Sequence, residues 1–135
     1  MLGASRLFDP NTVKVALLFI FVGYGTKAGF APMHNWLPDA HSQAFSPISA
    51  LLSGVLLKIS LYAILRFVML ANAPLGYAFS AKLFLIFGIS SLAIASGFII
   101  VQKDLKRLLA YSSVENIGLI SLALGFGLYG GIAAA

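Results

Sequence analysis

Four long apolar stretches, nearly free of charge, constrain this chain more than any other feature. They cover residues 12–31, 47–66, 83–102 and 105–127, and each has about the 20 residues that a membrane-spanning helix needs. Charged residues make up only 10% of the chain, against about 25% in a soluble domain. This composition excludes both a soluble globular domain and a disordered segment, because disorder requires low hydrophobicity and high charge. The sequence therefore predicts an all-α fold, a polytopic transmembrane helix bundle of about four spans.

The connections between the stretches fit this division. Ser46 followed by Pro47 is a typical helix start, and residues 72–76 form a turn-rich break before the third span. Residues 128–135 stop without a polar tail, so we expect residues 1–135 to be part of a longer, multi-pass integral membrane protein; the alternative is a short native C terminus.

Composition also removes several function classes. The absence of cysteine excludes disulfides, thiolate nucleophiles and iron–sulfur ligation. The net charge of +5 does not point to nucleic acid, because the basic residues are scattered among apolar runs and form no basic face. The lipid bilayer is the expected surrounding.

Three charges lie deep inside the predicted spans. Lys27 lies about fifteen residues into the first span, Lys58 about eleven into the second, and Glu115 about eight residues after Arg107. A charge at the centre of a bilayer costs about 2.5–3.5 kcal/mol or more, and such residues usually mark an ion or proton pathway. A lysine suits proton exchange, because burial weakens its hold on the proton and a nearby carboxylate strengthens it. Structural ion pairs between helices are the alternative.

The surroundings of Lys27 predict an interrupted helix. Gly25 and Gly29 flank the lysine, and Pro32 removes a backbone donor from the following turn. We therefore expect the first span to break after Lys27 and to continue as a short segment to about residue 40. A helix that simply stops at Pro32 is the alternative.

Two histidines follow this break. His34 and His41 are seven residues apart and share a face if the segment is helical. They are candidates for a relay near the mouth of a proton path, since histidine titrates near neutral pH. The alternative is that the two histidines only cap helices and form hydrogen bonds within a loop. With only Asp39 close by, neither a metal nor a haem is expected, and no cofactor is assigned to the chain.

Long motifs resemble a known family. Residues 25–41, 46–58 and 62–66, together with 104–114, are similar to the antiporter-like proton-translocating subunits of respiratory complex I, multisubunit sodium/proton antiporters and membrane-bound nickel–iron hydrogenases. The residues from His34 to His41 and the pair Glu115–Asn116 most resemble the sequences of the hydrogenase-4 and formate hydrogenlyase type.

This resemblance implies a part of a larger subunit. By this resemblance the chain corresponds to about four of the roughly fourteen helices of such a subunit. The resemblance also implies that Lys27 lies on the discontinuous helix and Lys58 on the central hydrophilic axis of the family. It also implies partner subunits, both membrane-bound and hydrophilic, in a prokaryotic inner membrane. The glutamate that pairs with the central lysine in the family is absent here, and Glu115–Asn116 stands where many relatives have a histidine.

Three functions are compatible with these residues. The first is a proton-translocating subunit of a redox-driven complex, in which Lys27 is the exchanging base, Lys58 the next relay group, and Glu115, His34 and His41 are auxiliary. This chain would carry no redox centre itself, and partner subunits of the oxidoreductase would supply the energy. The second is a cation/proton antiporter subunit without a redox partner. The third is a passive membrane anchor.

Overall fold

The computed structural model describes residues 9–133, and this part of the chain is helical without strands. The helices are α1 (Pro10–Ala28), α2 (Trp36–Gln43), α3 (Ser46–Leu51), α4 (Leu57–Leu75), α5 (Tyr77–Val101) and α6 (Leu105–Ala133). Residues Leu52–Leu56 form a π-helical segment that joins α3 to α4 without interruption. The predicted all-α fold class is confirmed.

Within the described residues, three helices are long and apolar enough to cross a membrane. They are Ser46–Asn72, Tyr77–Val101 and Leu105–Gly130. Helix α1, of 19 residues, covers most of the first predicted span but is not one of these three helices, because its polar start, Lys14 and Lys27 lower its mean hydropathy. Its passage through the bilayer therefore stays a prediction that rests on the sequence.

The break after α1 is present, as the sequence predicts. Helix α1 ends at Ala28, and the chain becomes helical again at Trp36. The chain therefore does not simply stop being helical at Pro32. The next break is much shorter than the sequence predicts: α4 continues to Leu75, and Gly76, with φ 72°, turns the chain directly into α5.

The ends of α4 and α5 are joined by a buried polar contact, which explains why this break is so short. The Ser80 hydroxyl donates to the Asn72 side-chain oxygen at 2.8 Å. From sequence, Asn72 is predicted to lie in the break at residues 72–76, because asparagine favours turns. In the fold its side chain has a partner on the next helix, so α4 can continue past it.

Helices α5 and α6 pack closely because small residues line their contact. A Cβ atom added at Gly88 would lie 2.9 Å from the Leu122 side chain and 3.1 Å from the Gly118 carbonyl oxygen. Farther along, the Ser121 hydroxyl donates to the Phe84 carbonyl oxygen at 2.8 Å. Small residues and interhelical hydrogen bonds are the usual means of helix association in membranes, where the hydrophobic effect adds little.

Aromatic side chains fill the space between α1 and α5. The Phe21 ring lies edge-on to Phe84, with centroids 4.9 Å apart, and stacks on Phe87 at 5.7 Å. Phe21 and Phe84 are fully buried. Many large apolar side chains on the outside are exposed, among them Ile100 at 85% and Phe19 at 73%. Such a surface is expected where lipid or further membrane helices surround the chain.

Candidate functional site

The end of α1, where Lys27 lies, is closed by a glycine-based cap. Gly29 adopts the left-handed conformation, with φ 81°. The Phe30 amide donates to the Gly25 carbonyl at 2.9 Å, and the Gly29 amide donates to the Thr26 carbonyl at 3.3 Å. These two bonds are the Schellman pattern that satisfies carbonyls at a helix end. Lys27 is in the last turn before this cap.

Trp36 ties the two helices of the interrupted segment together. Its indole N–H, at the start of α2, donates to the Thr26 carbonyl of α1 at 2.7 Å. This contact is not predicted from sequence. The bond satisfies a carbonyl in the last turn of α1, one residue before Lys27, and so fixes where α2 begins relative to that lysine.

Two serines of α5 satisfy the backbone that the break leaves free. The Ala31 amide donates to the Ser91 hydroxyl at 3.0 Å, and the Ser90 hydroxyl donates to the Ala31 carbonyl at 3.2 Å. Non-helical backbone at membrane depth requires such partners, because lipid offers none. Neither serine is among the site residues predicted from sequence. A pair of adjacent hydroxyls inside an uncharged span is the signal that would have found them.

We expect Ser91→Ala to destabilise the protein by about 1–3 kcal/mol, because it leaves a buried backbone N–H without a partner. The measurement is the thermal unfolding midpoint of the full-length subunit in detergent. Ser96→Ala is the matched control, since the exposed Ser96 hydroxyl bonds only to Ala93 of its own helix. Equal midpoints for the two variants would contradict the assigned role of Ser91.

Lys27 faces outward into two adjoining grooves. One, of about 440 Å³, lies between α1 and the continuous helix that contains α3 and α4, and Ser60 is among its lining residues. The other, of about 390 Å³, lies along α1 itself. Both grooves are lined by Tyr24 and Lys27. The Lys27 side chain is exposed, so its ammonium group can contact any group that packs against this face of α1.

The structure does not bring Lys27, Lys58 and Glu115 into contact with one another. Lys58 is exposed on α4 and Glu115 is half-buried on α6. The described part of the chain contains one ion pair, in which Arg107 bonds to Asp39 at 3.1 Å, and it involves none of these three residues. Both members of that pair are substantially exposed, so its contribution to stability is small.

A π-helical segment that is not predicted from sequence ends two residues before Lys58. It covers Leu52–Leu56, with Gly54 at its centre. Single π-helical turns inside α-helices are rare and are frequent at functional sites, where they change the direction of the residues that follow. The segment therefore changes the face on which Lys58 lies relative to α3.

His34 is buried among aromatic rings contributed by α5 and α6. Its ring centroid lies 6.0 Å from Tyr111 and 6.5 Å from Phe98, and these two rings stack on each other at 5.3 Å. Only 2% of the residue is exposed, and neither ring nitrogen has a side-chain partner within the described residues.

His41 is buried on α2 and is joined to the next helix. Its Nδ1 atom forms a hydrogen bond with the Ser49 hydroxyl, while Nε2 is buried without a partner among residues 9–133. Burial lowers the pKa of the His41 imidazole below its ordinary value. The relay role assigned to the two histidines from sequence stays a prediction, since His34 contacts aromatic rings and His41 a serine.

Comparisons with known proteins place these features in a family. Residues 3–135 match the family described as NADH:quinone oxidoreductase/Mrp antiporter, TM. The chain is 46% identical to a hydrogenase-4 component F homolog of Methylacidiphilum infernorum, over 91% of this chain and 26% of that protein.

Two further relatives carry names from different assemblies. The chain is 42% identical to hydrogenase-4 component B of Escherichia coli, over 90% of this chain and 18% of that protein. It is 35% identical to NAD(P)H-quinone oxidoreductase chain 4 of Prochlorococcus marinus, over 90% of this chain and 22% of that protein. The chain thus spans about a quarter or less of the length of these relatives. The match over nearly every residue, together with the interrupted helix and the apolar spans, shows that the chain belongs to the NADH:quinone oxidoreductase/Mrp antiporter transmembrane family.

Proposed function

We propose that this chain is the part of a proton-translocating membrane subunit that carries its central exchanging lysine. The subunit would belong to a redox-driven assembly of the hydrogenase-4 or complex I type, in a prokaryotic cell membrane. Lys27 is the exchanging base and Lys58 the next relay group, while Glu115, His34 and His41 are auxiliary. The names of the relatives support the type of assembly, since they include two hydrogenase-4 components and a quinone oxidoreductase chain.

The observation that carries the proposal is the position of Lys27 in the last turn of an interrupted helix. Helix ends and free backbone groups at membrane depth are a recurring way to build ion sites in transporters. Here the lysine is next to such an end and faces grooves, so a water or an acidic side chain from another element can reach it. A lysine can release and regain a proton as a carboxylate moves away from or towards it, whereas arginine stays protonated.

The energy for translocation would come from partner subunits. No group in this chain is proposed to carry electrons, so hydrophilic subunits would perform the redox reaction and membrane subunits would complete the proton path. An acidic partner for Lys27 must come from another part of the subunit or from a neighbour. Glu115 is the one acidic residue placed within the apolar spans of the described chain, and it makes no ion pair there.

The test is to substitute Lys27 in the full-length subunit within its assembled complex and to measure proton movement and electron transfer separately. Undiminished proton movement would disprove the proposal. Proton movement that requires lysine and a cation gradient, but no electron donor, would instead indicate a cation/proton antiporter.

A further inference from the structure

A polar cavity of about 380 Å³ lies beside the start of α3 and the first turns of α6. It is separate from the grooves around Lys27. Besides the buried His41, its polar lining comprises Lys106 and the serines Ser46, Ser49, Ser53, Ser112 and Ser113. Hydroxyl groups and one ammonium group thus dominate the polar atoms of a cavity that is large enough for a small ligand.

The cavity carries positive charge and has spare hydrogen-bond donors. No carboxylate lines it. The Lys106 ammonium has one long contact, 3.4 Å from the Ala44 carbonyl. Within residues 9–133, the hydroxyls of Ser46 and Ser112 have no hydrogen-bond partner, and the nearby Asp39 carboxylate is paired with Arg107. Such donors around a lysine suit an anion with several acceptor oxygens.

Two candidate spans begin at this cavity, and this places it at one face of the membrane. Ser46 is the first residue of one span and Leu105 the first residue of the other. Lys106 follows in the first turn of α6, where the helix dipole also favours negative charge. The phosphate groups of lipids lie at this depth, and basic pockets between transmembrane helices bind anionic headgroups.

We propose that this cavity binds the phosphate group of an anionic phospholipid. Lys106 forms the ion pair with the phosphate, and the hydroxyls of Ser46 and Ser112 donate to its oxygens. The acyl chains then lie along the exposed apolar surfaces of α3 and α6, which include Ile48 and Leu109. The residues that hold the phosphate, Lys106, Ser46 and Ser112, are not among the groups assigned to the proposed proton path, although His41 of that path also lines the cavity.

The test uses the full-length subunit in its purified complex, in nanodiscs with equal amounts of phosphatidylglycerol and phosphatidylcholine. The phosphatidylglycerol that remains bound to the complex is measured after detergent extraction. Lys106→Gln is expected to reduce it about fivefold, the effect of one basic residue near an anionic surface, and Lys106→Arg should restore it. Lys103→Gln is the matched control, since Lys103 is an exposed lysine of the same junction and does not line the cavity.

Two results would overturn the proposal. The first is equal loss of phosphatidylglycerol in Lys106→Gln and Lys103→Gln, which would show a general surface charge effect. The second is full displacement of the lipid by millimolar inorganic phosphate, which would identify free phosphate as the ligand. Proton translocation is measured on the same Lys106→Gln sample, so that failure of the lipid site is distinguished from failure of the proposed function.

Discussion

Lys27→Ala and Lys27→Arg should both abolish proton translocation by the full-length subunit, while electron transfer in the assembled complex survives in part. Alanine removes the exchanging group, and arginine keeps the charge but cannot give up its proton. A positioned acid–base group contributes about 10²-fold or more to proton transfer, so the residual rate should fall to background. The measurement compares proton uptake by sealed vesicles with the rate of electron transfer in the same preparation.

The arginine variant separates proton exchange from a structural role. If Lys27 only formed an ion pair with an acidic residue elsewhere in the subunit, arginine would preserve the pair and proton movement would continue. Lys103→Arg is the control, because that lysine is exposed at the junction between α5 and α6. Full translocation by Lys27→Arg would refute the assignment of Lys27 as the exchanging base and would favour the passive anchor.

A second large effect is expected at the contact of α5 with α6. Gly88→Leu should destabilise the subunit by more than about 3 kcal/mol, above the usual range for overpacking, because the added atoms meet backbone as well as side chain. The Cβ atom alone would lie 3.0 Å from the Leu122 amide nitrogen and 3.1 Å from the Gly118 carbonyl oxygen. The two helices would have to separate, and the variant subunit should fail to accumulate in membranes.

Gly97→Leu is the matched control for this prediction. Gly97 lies on the same helix, and nothing lies within 4 Å of a Cβ atom built there. The measurement is the amount of folded subunit by fluorescence-detected size exclusion, followed by its thermal unfolding midpoint. Equal accumulation of the two leucine variants would show that the α5–α6 contact is not required for folding.

Local sequence rules were sufficient to predict the interruption of the first span. Gly29 has to be left-handed, which side chains other than glycine rarely adopt, and Pro32 cannot donate to a helix. These effects depend only on residues close in sequence. The other helices were predicted from long apolar stretches, which are also a local property of the sequence. Helix α4 extends beyond its predicted end because the Ser80 hydroxyl donates a hydrogen bond to the Asn72 side chain.

The tertiary features were harder to predict. Ser90 and Ser91 contact a backbone segment about 60 residues earlier, and nothing in their own surroundings indicates that partner. The π-helical segment was not predicted, because no residue pattern in Leu52–Leu56 distinguishes a π-helical turn from an α-helical one. Lys27, Lys58 and Glu115 stand out by their cost in a membrane, but the sequence does not indicate which groups they contact, and within the described residues none of them forms an ion pair.

The short helix α2 is bonded both to α1 and to α6. At its start Trp36 bonds to Thr26 beside Lys27, and at its middle Asp39 bonds to Arg107 at the beginning of α6. Trp36 and Asp39 are three positions apart, which is about 5 Å along the helix axis. A displacement of the start of α6 would act on α2 through the packing of these two helices and through the exposed Arg107–Asp39 pair, which is weak by itself. Helix α2 thus lies between the surface junction of α5 with α6 and the turn that carries Lys27.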